Sequence, residues 1–322
     1  MINHTYIIYS FAGSVLGIIL ITIFIKLGFV SQAGDKAKLY LLTLFLPVLI
    51  YIGYIWVIKK PCTVELLHND SFLSRLCAIG YWFLDYLIPI LVHILILVLL
   101  KTLISAWYAR TLIKRYTIVD KNIYPTVMNS VETLCDKCNI KIPQLIIIPK
   151  TSIKAFVFGF RSHYLVLSQG LIESLTEDEL LMVLAHEISH LKRKDFLKNW
   201  LSVFFRDIMF FNPLVYWLFN RYLAEIEKRA DNDALELYNN PSDYALTLIK
   251  LYKIKARTTF SDYLLASVNP YPSFFAGTSV LKDRVENILI FNNSKTSANR
   301  IYVRYLNGFI ILVTLIILAF IC

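Results

Sequence analysis

Four apolar runs, each close to the length that crosses a bilayer, constrain this chain more than any other feature. A helix of about 20 residues spans the hydrocarbon core. Such runs occupy residues 6–30 ("YIIYSFAGSVLGIILITIFIKLGFV"), 39–58, 77–105 and 306–322 ("LNGFIILVTLIILAFIC"). Hydrophobic residues make up 57% of the 322, and charged residues 17%, against roughly 25% in an ordinary soluble domain. The first run has neither the basic start nor the small-residue exit of a cleaved leader, so it reads as a retained span. Lys26 lies near the end of its run, where it can snorkel, and Asp85 is expected to face other helices rather than lipid. The pattern predicts a mainly α membrane protein. Residues 1–108 hold three transmembrane helices, 109–305 form an inserted domain, and 306–322 form the closing helix.

The net charge of +10 does not mark a nucleic-acid binder, which would gather its lysines on one aromatic-interleaved face. The basic residues here sit just past the spans, as in "RTLIKR" (110–115) and "NRIYVR" (299–304). Loops rich in Lys and Arg stay in the cytoplasm. The segment 109–305 is therefore expected inside the cell, in an integral multi-pass protein of a bacterial plasma membrane. Cys135 and Cys138 form a CxxC, but no second pair follows at zinc-ribbon spacing, so they read as incidental thiols.

Within 109–305 a helical stretch, "YPTVMNSVETLCDKCNI", precedes three short β-branched and aromatic runs, "QLIIIP", "KAFVFGF" and "HYLVLSQGL". Their turn residues predict strands. The last could be an inner strand or an edge to which an extended peptide adds. Helices follow. "LTEDELLMVLAHEISHLKRKD" opens with Thr176 and Glu179 in capping-box spacing, with acids in its first turn and Lys192, Arg193 and Lys194 in its last. Residues 196–219 carry Lys198, Arg206, Asp207 and a mid-run Asn-Pro, so they read as a helical hairpin rather than a fifth span. A long helix with Pro213 at its start comes next.

His186 and His190 lie four residues apart, on one face of the helix they are predicted to share. Two imidazoles so placed can grip one Zn²⁺, and Glu187, about 100° off that face, suits the base that acts on water. Only six histidines exist in the chain, and an apolar helix gives a buried pair reason to seek a partner. A catalytic zinc takes three protein ligands. The cluster "AEIEKRADNDA" supplies the third as Glu227, with Asp231 one turn on to hold a ligand histidine by its other ring nitrogen. Glu225 competes, but lies about 200° around the helix from Glu227. The oxyanion or substrate contact is left among His163, Arg206, Asn212 and Tyr216.

The run "FVFGFRSHYLVLSQGLIESLTEDELLMVLAHEISHLKRKD", followed by "FFNPLVYWLFNRYLAEIEKRADNDAL", resembles the BlaR/MecR family of integral-membrane zinc metallopeptidases. The resemblance implies a gluzincin domain, zincin-like and α+β, between the third and fourth spans. It carries the HExxH onto His186, Glu187 and His190, and the E-x-x-x-D onto Glu227 and Asp231. It further implies hydrolysis of a cytosolic or membrane-proximal protein in signalling, such as a transcriptional repressor or the chain itself. Ala230 departs from the cysteine common at that position and matches Ste24/HtpX-type proteases, whose quality-control or processing role is the alternative. No residues after Cys322 provide the family's penicillin-binding sensor domain, so only the protease is expected from the resemblance. A non-enzymatic scaffold with a structural or vestigial zinc site is the other alternative. The partners expected are a protein or peptide substrate, the lipid bilayer and, as a homodimer, a second copy.

Overall fold

A computed structural model describes residues 2–57, 123–159, 162–255 and 278–291, with scattered helical residues between 92 and 111. The expected third span (77–105) lies largely outside these residues, and the fourth (306–322) wholly. By contact the chain divides into two units, Met1–Lys101 with Ser202–Tyr222 and Thr296–Cys322, and Thr102–Leu201 with Leu223–Lys295. Residues 202–222, within the segment 109–305, group with the first of these units.

In the first unit, helices α1 (Ile2–Lys26) and α2 (Ala33–Val57) coincide with the first two apolar runs. They pack antiparallel through small residues. A Cβ on Gly13 would meet the Pro47 ring at 3.2 Å, and one on Gly17 would meet Thr43 Cγ2 at 2.1 Å. Only glycine permits that approach at position 17. On α1 the exposed side chains Phe11, Val15, Ile19 and Ile23 recur every fourth residue, and Leu27 follows just past its end, so each lies one turn above the last. Among the described residues no helix is long and apolar enough to cross a membrane; the side chains of 1–9 and 49–57, parts of the first two runs, fall outside them.

Helix α6 (Asp195–Ile208) ends before Asn212, and α7 (Pro213–Tyr238) begins just after it. Proline suits a first helical position because its missing N–H would have no helical partner there. Asn212 caps α7 by accepting from Leu214 N at 3.0 Å. Its amide donates to Ser10 O and Ser10 Oγ at 3.0 Å and to Ser14 Oγ at 3.1 Å. All three residues are fully buried, so the hairpin tip is tied to α1 within this unit.

The second unit is built on a three-stranded sheet of β1 (Gln144–Ile148), β2 (Ala155–Phe158) and β3 (Tyr164–Ser168). The order is β1-β3-β2, with β1 parallel and β2 antiparallel to β3. The run "HYLVLSQGL" therefore supplies the central strand of this sheet, not an edge. Its register pairs Leu165 with both Leu145 and Val157. These side chains share one face, which joins the main core with α3 (Pro125–Cys138) and α5 (Glu177–Arg193). On the opposite face Ile146, Ile148, Phe158 and Val166 pack with Phe196. Cys135 and Cys138 lie in the main core as free thiols, and burial pushes the Cys135 thiol up to about 12, which keeps it inert. Short α4 (Gln169–Ser174) leads from β3 toward α5, and α8 (Pro241–Lys255) and α9 (Thr278–Ile290) pack on one another.

Candidate metal centre

Helix α5 starts where Thr176 and Glu179 cap each other, at 3.3 Å and 2.9 Å. From Met182 to Leu191 every residue is buried, so its polar side chains must find partners inside the protein. They do. Ser189 donates to Asp233 of α7, and Arg193 forms a bidentate pair with the same carboxylate. The helix ends at Lys194, whose left-handed φ of 54° costs an L-residue roughly 1–2 kcal/mol. That turn sets Asp195 under the second histidine, with Asp195 Oδ2 3.1 Å from His190 Nδ1.

Three buried side chains converge beside this helix. His186, His190 and Glu227 each offer a ligand atom, all within 4.8 Å of one another. The two Nε2 atoms are 3.2 Å apart. Glu227 Oε2 lies 3.5 Å from His186 Nε2, and Oε1 lies 3.7 Å from His190 Nε2. Four tetrahedral ligands at about 2.0–2.2 Å from a metal stand about 3.3–3.6 Å apart, so the spacing fits an ion at the centre.

The hydrogen bonding fits as well. His186 Nδ1 lies 3.0 Å from both Tyr244 OH and Asp231 Oδ1, and His190 Nδ1 faces Asp195. With the Nδ1 protons directed at carboxylates, two bare Nε2 lone pairs oppose each other, an arrangement that calls for a cation between them. Glu227 Oε2 is buried without accepting a hydrogen bond; Arg284 Nη1 at 3.0 Å is a charge contact lacking hydrogen-bond alignment.

Charge is balanced by Arg284 of α9, buried with Asp231 and Glu227. Its Nη2 and Nε donate to the two Asp231 oxygens at 2.6 and 2.8 Å. Burial alone would raise the Asp231 and Glu227 carboxyls, but Arg284 and the histidines outweigh it and hold both below the usual range. Glu187 behaves oppositely: burial pushes its carboxyl up against the pull of His186 and His190. A carboxyl raised in this way holds a proton more readily than an ordinary one, which suits a group that takes a proton up and passes it on.

Burial opposes a charged imidazole at His186, yet the Asp231 and Glu227 carboxylates beside it prevail and hold it at about 9 rather than the ordinary 6.5. A folded value above the unfolded one adds stability below about pH 6.5, lost as pH rises through about 9. Metal-free protein is expected to melt at progressively lower temperature across that window. Metal-loaded protein, with a cation in place of the proton, is expected to lose less. Parallel pH profiles for the two forms would contradict the placement of the ion.

Of the four residues left open for a substrate contact, His163 is in this unit, on a cleft shared with His190, Val157, Phe158, Leu191, Phe196 and Leu197. The other three are in the first unit with partners of their own. Arg206 pairs with Asp207 and stacks on Phe219 and Tyr216, and Asn212 caps α7. Glu225 pairs with Lys228 at 3.4 Å. Asp195, Tyr244 and Arg284 escaped the sequence reading. Asp195 had a signal, an acid just past a basic helix end; the other two lie 58 and 98 residues beyond His186 with none.

A profile of the BlaR1 peptidase M56 family matches residues 83–288, well over half of the chain. The chain belongs to the BlaR1 peptidase M56 family. This M56 family member is similar to the methicillin resistance mecR1 protein of Staphylococcus aureus (27% identity over 156 residues, 47% of this chain and 25% of that protein). The regulatory protein BlaR1 of Bacillus licheniformis matches at 28% over 162 residues, 49% of this chain and 26% of its own length. A protease HtpX homologue of Bacteroides fragilis matches at 35% over 91 residues, 28% and 27%. The chain thus spans about a quarter of the length of these curated relatives. Among solved structures, Ste24p of S. mikatae aligns over 80% of this chain and 77% of its own, at 20% identity and a TM-score of 0.41. The matched family is described as a peptidase family, and the described residues contain a His and Glu cluster that could hold a metal ion.

Proposed function

We propose that the chain is a membrane-embedded zinc endopeptidase in which His186, His190 and Glu227 hold the ion and Glu187 is the base. The observation that carries this reading is the pair of opposed Nε2 atoms 3.2 Å apart, closed by the Glu227 carboxylate. When bound there, zinc would polarise the scissile carbonyl and acidify an attacking water. Glu187 takes that proton and returns it to the leaving amine. Asp231 and Asp195 keep the two imidazoles turned toward the centre, and Arg284 holds Asp231 ionised. His163 is the residue proposed to meet the substrate, because it shares the cleft beside His190. Strand β2, outermost in the described sheet and packed against α5, suits an extended peptide pairing along its open side. The apolar lining of the cleft suits an apolar side chain next to the cut.

The exposed apolar stripe of α1 and the exposed Leu95, Ile96, Leu97, Leu99 and Leu100 support a bilayer setting, since such surface is costly in water. Basic residues following the spans support a cytoplasmic active site. Relatives described as regulatory and resistance proteins support a signalling role, with a repressor or the chain itself as substrate. The HtpX match favours a second reading, a processing protease with the same chemistry. Bacterial proteomes from cells carrying wild type or Glu187→Ala, compared for new peptide termini, test both. Termini confined to one regulatory protein fit the first reading and termini on many membrane proteins the second. Termini unchanged by the substitution would remove Glu187 as the base.

A further inference from the structure

We propose that Tyr244 is a positioning residue for His186, its hydroxyl sharing the ring's Nδ1 proton with Asp231 and thereby fixing the tautomer and rotation that aim Nε2 at the metal. The inference rests on the metallopeptidase reading above. Tyr244 OH donates to Asp231 Oδ1 at 2.8 Å. A phenol has one proton, so the hydroxyl's lone pair is left facing His186 Nδ1 at 3.0 Å. The imidazole N–H then has two acceptors at the same distance, one charged and one neutral.

Asp231 alone is a weak guide for the ring, because Arg284 already claims both of its oxygens. Tyr244 contributes from a different element. It is 1% exposed on α8, and α8 reaches α5 independently through Thr247 on Met182 and Lys250 on Glu179. The phenol therefore fixes the ring from a direction that the Asp231–Arg284 pair does not. The competing account is a core tyrosine whose hydroxyl merely meets the nearest carboxylate. Phenylalanine would then serve equally well.

Full-length protein in detergent, stripped of metal, is titrated with Co²⁺ against a chromophoric chelator. Tyr244→Phe is expected to bind roughly tenfold more weakly than wild type, the low end of what outer partners of ligand histidines command. Tyr238→Phe, which alters a hydroxyl bonded to Asp178, should bind as wild type does. Equal affinity of Tyr244→Phe and wild type overturns the proposal while leaving the metal site intact; wild type that binds no Co²⁺ overturns both. Should Tyr244→Phe lose its cooperative melt, ¹⁵N-histidine NMR of wild type decides. An exchange-protected His186 Nδ1–H with cross-relaxation to the Tyr244 ring supports the assignment, and absence of that proton refutes it.

Discussion

Glu227→Ala is expected to abolish stoichiometric metal binding and proteolysis together, whereas Glu225→Ala leaves both near wild type. The two acids stand two residues apart on α7, so charge and local sequence barely separate them. Position does. Glu227 presents one oxygen to each ligand histidine, at 3.5 and 3.7 Å, while Glu225 turns to Lys228. Losing a direct ligand should exceed the roughly 10–100-fold that outer partners control. Metal content by atomic emission after dialysis checks this, and a Glu227→Ala protein that retains one ion per chain would refute the assignment of the third ligand.

Arg284→Met is expected to destabilise the protein by about 3–5 kcal/mol, the usual result of stripping one partner from a buried ion pair. Arg284 is almost wholly buried, and its loss leaves Asp231 and Glu227 facing each other without their shared cation. The sign with pH follows from Asp231, whose folded value lies below its unfolded one. Its pairing contributes above about pH 4 and fades as pH falls further. The deficit of Arg284→Met should therefore be full at neutral pH and narrow in acid. Thermal melts at pH 7 and at about pH 3, inside the range where the pairing fades, measure it, and a shift worth under about 1 kcal/mol at neutral pH would place Arg284 among ordinary surface pairs.

Residues within one helix were the readable part of the site. His186, Glu187 and His190 follow from the 3.6-residue repeat, and the Thr176 and Glu179 cap from a three-residue spacing, because both are local. Glu227 and Asp231 were readable as a pair one turn apart for the same reason. Asp195 depended on the left-handed turn at Lys194, a conformation that no β-carbon-bearing residue advertises. The strand at 164–168 read equally well as edge or centre, since strand order comes from pairing partners and not from the strand's own pattern. Asn212 had the chemistry of a transition-state donor. Its oxygen caps α7 through a local bond from Leu214 N, and only the fold shows that its amide is taken by Ser10 and Ser14, about two hundred residues away in sequence.

The sequence by itself determined the first two apolar helices, the helix that carries His186, Glu187 and His190, and the acidic pair Glu227 and Asp231 on a later helix. These rest on short-range periodicity and hydrophobicity, which a linear string carries in full. Tertiary structure alone decided that Asp195 faces the second imidazole and that Tyr244 and Arg284 pack against Asp231. Those contacts join helices through burial, where an unpartnered charge is intolerable and the nearest compensating group is chosen by packing rather than by distance along the chain.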